Sequence, residues 1–154
     1  MFNATNPSLL VSESLLTANH AEGDGGGIYN NEFGIATVLN TTLGDNTATN
    51  GAAIANAGQF ALTHSTVFGN EAEVAGGGVF NAPTIPDTLD MRNTIVAGNT
   101  AAAGNDLSGS RFQSDGHNLI GDVGTVTGFG GNGDQVGTTV APLDPSLFNL
   151  QLNG

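Results

Sequence analysis

The chain has 154 residues, enough for one domain with a real core, and 24 of them are glycine; cysteine, tryptophan and lysine do not occur. A formal net charge of −12, with only Arg92 and Arg111 as strong bases, excludes affinity for duplex phosphates and is repelled by an anionic membrane surface. Cations and neutral polymers are the compatible partners, no disulfide framework can form, and no apolar run approaches the ~18 residues of a membrane span.

Met1 to Pro7 has neither the basic start nor the apolar middle of a signal peptide. The mixture of Gly, Asn and Thr with 10% charged residues would suit disorder, but a repeat argues otherwise. Gly25-Gly26-Gly27-Ile28-Tyr29-Asn30 returns as Gly51-Ala52-Ala53-Ile54-Ala55-Asn56 and as Gly76-Gly77-Gly78-Val79-Phe80-Asn81. A worn copy follows at 104–109, Gly104-Asn105-Asp106-Leu107-Ser108-Gly109. The first glycines stand 26, 25 and 28 positions apart (25 to 51, 51 to 76, 76 to 104). A second marker keeps step, since Asn19, Asn46, Asn70 and Asn99 precede those glycines by five or six residues.

Aligned on that asparagine, the chain falls into columns. Three positions before it stand Leu16, Leu43, Val67 and Val96; eight before it, Val11, Val38, Leu62 and Met91; ten before it, Leu9, Ala36, Phe60 and Leu89. Ile28, Ile54, Val79 and Leu107 follow the glycines. Apolar positions two apart have the period of a strand, and each short cluster is punctuated by Gly, Asn or Asp. A coil of roughly 25 residues cannot bury its inner face alone, whereas coils stacked ~4.8 Å apart pair in parallel and pile the columns into one core. The spacing predicts an all-β parallel β-helix of four to five coils over 1–122, with three short strands per coil.

The polar columns fit the same picture. Ser14, Thr41, Ser65 and Thr94 place a hydroxyl five residues before each marker. Asn19, Asn46, Asn70 and Asn99 are expected to stack as one amide ladder, and Asn30, Asn56 and Asn81 as a second. The glycines are expected where φ is positive or where coils approach too closely for a Cβ. Ala82 to Thr88, with two prolines, expands one connection into a surface loop. Beyond residue 110 the repeat decays: 116–122 reads as one more corner and strand, 128–134 as loop, and 123–154 as an irregular C-terminal cap. The first coil shows no comparable cap and presents an open strand edge suited to pairing with another chain.

The T/S-x-L/V-x-x-N-x-A pattern followed by GGGIYN resembles the repeats of bacterial polymorphic-outer-membrane-protein-like surface proteins, of the right-handed parallel β-helix (pectin-lyase-like) class. The tail GHNLIGDVGTVTGFGGNGDQVGTTVAPLDPSLFNLQLNG is similar to the end of the β-helix in secreted "choice-of-anchor" proteins. The resemblance implies a right-handed solenoid and an extracellular, cell-surface setting. The tail stops at Asn153-Gly154 ahead of any anchoring segment, as expected of a module cut from a longer chain.

Many pectin-lyase-like folds cleave polysaccharides. A lyase needs a strong base for the proton α to a uronate carboxyl, and Arg92 is the one candidate within the regular coils; beside Asp90 it reads as half of a surface ion pair. A hydrolase needs two carboxylates ~5–10 Å apart. The column Leu10, Thr37, Ala61, Asp90 and the column Glu13, Asn40, His64, Asn93 supply no such pair. His64 reads as a hydrogen-bonded structural histidine, and His20 and His117 as loop residues with no nucleophile in register.

Calcium is the better chemical alternative. Gly130-Gly131-Asn132-Gly133-Asp134 approaches the calcium-binding nonapeptide but is one residue short and occurs once. Asp106, Asp115 and Asp122 lie near the fourth corner and, with Asp134, are the candidate oxygen ligands, against an ordinary solvated acidic surface. The column Leu15, Thr42, Thr66, Ile95 is too broken for an ice-binding threonine face. The sequence therefore points to a non-enzymatic structural or adhesive module that self-associates through its coil ends, with a carbohydrate-binding or carbohydrate-cleaving β-helix and a calcium-stabilised module as alternatives.

Overall fold

A computed structural model describes residues 1–3, 8–82 and 88–147. Among these the chain is all β, a parallel solenoid of about four turns. The first coil holds β1 (Phe2–Asn3), β2 (Ser8–Ser12) and β3 (Leu15–Thr17). The second holds β4 (Ile28–Asn30), β5 (Ile35–Leu39), β6 (Thr42–Gly44) and β7 (Thr47–Asn50). The third repeats this as β8 (Ile54–Asn56), β9 (Gln59–Thr63), β10 (Thr66–Phe68) and β11 (Glu71–Ala75). β12 (Val79–Asn81), β13 (Leu89–Arg92) and β14 (Ile95–Val96) form the fourth; β15 (Leu107–Gly109), β16 (Phe112–Ser114) and β17 (Leu119–Ile120) begin a last one. β18 (Gln135–Val136) closes the set.

Corresponding strands pair in parallel, giving sheets ordered β1-β4-β8-β12-β15, β2-β5-β9-β13-β16 and β3-β6-β10-β14-β17-β18. The apolar columns read from the sequence are in register. Ile28, Ile54, Val79 and Leu107 align, as do Ala36, Phe60 and Leu89, and Leu43, Val67 and Val96. These residues are buried in one continuous core. Phe112 and Ile120 extend two of the columns past the decay of the repeat.

The coil has more sides than the three predicted. β7 and β11 pair as a fourth, two-stranded sheet, with an irregular register between Ala72 and Ala75. Beneath it Ala48, Ala52 and Ala72 make a small core of their own, packed by Ala21 and Ala101. Alanine and threonine supply too little hydrophobic contrast for this strand to show as an alternating pattern. Residues 83–87 of the expanded connection, and residues 148–154 at the end of the tail, lie outside the described residues.

The corner glycines do what the repeat requires. Gly25, Gly51, Gly76 and Gly104 all have positive φ, from +57° to +73°. At Gly76 a Cβ would also stand 2.6 Å from the Val79 carbonyl oxygen, so both backbone angle and space demand glycine there.

A second bend escaped the sequence reading. Glu13, Asn40, His64, Asn93 and His117 all lie near φ +50° to +60°, at the corner between the second and third sheets. Asn and His tolerate the left-handed region better than most residues, which accounts for the amide-rich column at this bend.

Past residue 122 the repeat is shortened rather than lost. The segment 132–134, expected as plain loop, forms another corner: Gln135 and Val136 pair with Leu119 and Ile120. Val123, Phe129 and Val136 pack on the core, with the Phe129 and Phe112 ring centroids 6.0 Å apart. Thr138 and Ala141 pair antiparallel, and the Leu143 amide donates to the Gly121 carbonyl at 2.9 Å.

Candidate functional site

The most organised polar chemistry in the molecule runs along its axis. In the marker column Asn46, Asn70 and Asn99 each use one side-chain oxygen twice. Asn46 donates its backbone N–H (3.0 Å) and its Nδ2 (2.8 Å) to Asn70 Oδ1, and Asn70 does the same to Asn99 Oδ1. Asn19 joins at the N-terminal end, donating to Asn46 Oδ1 at 3.1 and 2.8 Å. The second hydrogen of each Nδ2 serves a carbonyl, as from Asn46 to Leu16 and from Asn70 to Leu43. Because backbone N–H groups point into one side-chain atom, that atom must be the oxygen, and the direction of the ladder is fixed.

The ladder then meets an aspartate. Asn99 donates its backbone N–H (3.0 Å) and Nδ2 (2.8 Å) to Asp106 Oδ1, and Asp122 N–H donates to Asp106 Oδ2 at 2.7 Å. Asp106, one of the four candidate calcium ligands of the sequence, is a buried acceptor that ends the column. Its burial outweighs the donors from Asn99 and Asp122 and holds its pKa above the ordinary carboxylate value, with the nearby Asp122 charge adding to the rise.

The hydroxyl column behaves alike. The Thr41 amide donates to Ser65 Oγ at 3.2 Å, Ser65 to Thr94 Oγ1 at 3.4 Å, and Thr94 to Asn118 Oδ1 at 3.1 Å. Asn118 donates its N–H (2.9 Å) and Nδ2 (3.1 Å) to Asp134 Oδ1, while the Gly130 amide reaches Oδ2 at 3.3 Å. At Asp134, desolvation pushes the pKa up, but bonds from Ser114, Asn118 and Gly130 together prevail and set it below the ordinary value.

The predicted second ladder forms through Asn30 Nδ2 to Asn56 Oδ1 and Asn56 Nδ2 to Asn81 Oδ1, both 2.7 Å. It ends differently, on the Ser110 carbonyl at 2.7 Å. Among the described residues no buried side-chain nitrogen or oxygen lacks a partner.

The remaining candidates are dispersed. Asp122 is buried and holds the tail, accepting from Gly124 N–H and Thr139 Oγ1, both at 2.9 Å, and from Asn105 Nδ2 at 3.2 Å. Asp115 is exposed after β16. Among the described residues no three His, Asp or Glu side chains gather as a metal-holding group. Asp90 accepts from the Thr88 hydroxyl at 3.0 Å, and among the described residues no ion pair joins it to Arg92 as expected. His64 is hydrogen bonded as expected, to Asn93 at 2.9 Å.

His20 differs from expectation. Its Nδ1 lies 2.8 Å from Thr47 Oγ1, a hydroxyl in register that the sequence reading did not find. The signal was available, since Thr47 follows marker Asn46 just as His20 follows Asn19. Both line a shallow cleft of about 190 Å³ with Glu71 and Glu73. A larger cleft of about 320 Å³ lies where the tail crosses the end of the marker ladder, between Phe68, Asp106, Leu143 and Leu147.

In comparisons with known proteins, no family model, no curated protein and no solved structure matches the chain.

Proposed function

We propose that the chain is a structural module of an extracellular bacterial surface protein, a stiff solenoid segment that spans distance and presents its loops, without catalytic work of its own. The observation supporting this is the use made of the polar residues. The buried asparagines and hydroxyls are joined coil to coil, and in two columns the series runs from the first or second coil to a terminal aspartate. Such a network fixes register and resists bending. The cell-surface setting is supported by the resemblance of the GGGIYN repeat and of the tail to secreted β-helix proteins. Self-association through the coil ends belongs to this reading, with the edge strands of the first and last coils as the surfaces that would pair.

Small-angle scattering combined with an assay on uronate and neutral polysaccharides tests the proposal. A rod of the solenoid's length with no turnover is expected; release of unsaturated or reducing ends would refute it. A carbohydrate-binding role has one observation in its favour, the solvent-facing column Asn40, His64, Asn93 and His117 on a single corner, with a cleft of about 300 Å³ at its end. Binding on a glycan array that is lost in the Asn93→Ala, His117→Ala double variant would select that role.

A further inference from the structure

Among the described residues there are two Asn-Gly pairs, and the fold treats them differently. With no Cβ on the second residue, the backbone nitrogen of such a pair can approach the asparagine side chain closely enough to react. Asn50-Gly51 is held away from that reaction. The Gly51 N–H donates to the Ala75 carbonyl at 2.9 Å, Gly51 is buried, and Asn50 Nδ2 donates to Asp24 Oδ1 at 2.8 Å. Asn132-Gly133 is open. Both residues are exposed, and among the described residues neither the Gly133 N–H nor the Asn132 side chain has a hydrogen-bond partner. They are the centre of a turn closed by the Asp134 N–H to the Gly131 carbonyl at 2.9 Å, with φ of +49° and +80°. Positive φ at both central positions is the type I′ pattern. The space around Gly130 and Gly131 is empty, which leaves the Asn132 side chain room to move. The His117 imidazole lies against this turn. Its Nδ1 would stand 2.6 Å from a Cβ built on Gly133, and the His117 N–H donates to the Asn132 carbonyl at 3.0 Å. His117 and Gly133 also line the same open cleft of about 300 Å³, which admits water.

We infer that Asn132-Gly133 is a self-modification site, at which the chain deamidates itself with His117 as the base. His117, directly or through one water, takes the proton of the Gly133 N–H, and the nitrogen attacks Asn132 Cγ. The new N–Cγ bond expels Nδ2, which takes up a proton and leaves as ammonia. Water then opens the five-membered imide. Opening at Cγ leaves aspartate at position 132. Opening at the Asn132 main-chain carbonyl leaves isoaspartate, with the backbone routed through the side chain and longer by one methylene. Water is the only reagent consumed, and no redox change occurs. The added methylene falls two residues before Asp134, whose carboxylate ends the hydroxyl column by accepting the Asn118 N–H and Nδ2 at 2.9 and 3.1 Å. Next to it the Gln135 N–H donates to the Asn118 carbonyl at 2.8 Å, the bond that sets β18 on β17. Isoaspartate therefore loosens the closure of the rod and leaves the earlier coils as they are.

The inference goes beyond the scaffold reading, and its failure would leave the scattering and turnover test of that reading untouched. The intact chain is aged at neutral pH and body temperature, and tandem mass spectrometry locates aspartate and isoaspartate residue by residue. Conversion at Asn132 is expected about tenfold or more faster than at Asn50, which can react only after its coil opens locally. Comparable rates at the two sites, or no conversion at Asn132, overturn the inference. His117→Asn places at this bend a residue that the column already carries with positive φ at Asn40 and Asn93. It should slow conversion at Asn132 severalfold relative to Asn50 in the same sample; an unchanged ratio overturns the role of His117. Isoaspartyl chains, separated by their added negative charge, should exchange the Asn118 and Gln135 amides about tenfold faster than unaged chains, with the Leu43 and Val67 amides unchanged. Equal exchange at Asn118 and Gln135 overturns the loosening.

Discussion

Removing one interior rung of the marker ladder should cost far more than removing the first. In Asn70→Ala the acceptor for the Asn46 backbone N–H and for one Asn46 Nδ2 hydrogen disappears, and both donors are buried. The Leu43 carbonyl and Asn99 Oδ1 each lose a donor as well, although Asn99 Oδ1 held its second bond from the Asn70 backbone, which survives. Each orphaned buried donor costs ~1–3 kcal/mol, so two of them and a small cavity bring the loss to about 3–5 kcal/mol. Domains of this size are stable by ~5–15 kcal/mol, so about a fifth or more of the total is at stake. With a urea slope near ~2 kcal/mol/M the midpoint should fall by about 2 M. Asn19→Ala removes only the Nδ2 donor to Asn46 Oδ1, the backbone N–H bond surviving, at an exposed residue whose place water can take, and should cost below ~1 kcal/mol. Asn70→Asp keeps the acceptor but turns a carboxylate oxygen toward the Leu43 carbonyl and Asn99 Oδ1, and should cost at least as much as Ala. Circular dichroism in urea reads all three. If Asn70→Ala and Asn19→Ala fall within ~0.5 kcal/mol of each other, the ladder is not an element of stability and the reasoning fails.

Other consequences concern backbone, pH and metal. Gly76→Ala should lose ~1–3 kcal/mol in the same assay, because φ is +64° and the added Cβ meets the Val79 carbonyl; Gly124→Ala has positive φ but open space, and should lose ~1 kcal/mol or less. The two terminal aspartates should bend the acid profile in opposite senses. Asp134, lowered from 3.8, contributes stability that is present above that value and is lost as pH falls through its folded pKa. Asp106, raised from 3.8, takes up its proton in the folded state first, so stability rises as pH falls through its folded pKa. Urea midpoints from about pH 3 to 7 should lose the downward limb in Asp134→Asn and the upward one in Asp106→Asn; unchanged profiles would contradict the assignments. Calcium at millimolar concentration should leave the thermal midpoint within ~2 °C of its value in chelator, because Asp106 and Asp134 already serve amides, and a larger rise would revive the calcium-stabilised alternative.

What the sequence made legible was whatever repeats at constant spacing. Leu89 and Met91, two apart in one strand, showed period and register together, and the marker asparagines gave the ladder before its distances were known. The terminal devices were hidden because each occurs once. Asp106 stands in the column of Gly27, Ala53 and Gly78, where the next coil presses so close that at Gly78 a Cβ would lie 2.6 Å from a carbonyl oxygen. Only in the last coil is there room for a larger side chain, which turns to Asn99. From sequence alone that looked like one of several loop carboxylates. Asp134 was masked by a change of spacing: Asn118 follows Thr94 by 24 residues, but Asp134 follows Asn118 by 16. Thr47 opposite His20 was within reach, since it follows Asn46 as His20 follows Asn19.

The way the ladders stop has a genetic consequence. Every interior rung makes the same bonds to its neighbours, so duplicating or deleting one coil's worth of codons between Asn46 and Asn99 leaves each remaining rung's chemistry unaltered. The rod becomes longer or shorter by one strand spacing of ~4.8 Å, while the carboxylates go on ending it wherever it ends. Reach can thus change by copy number, independently of the closure.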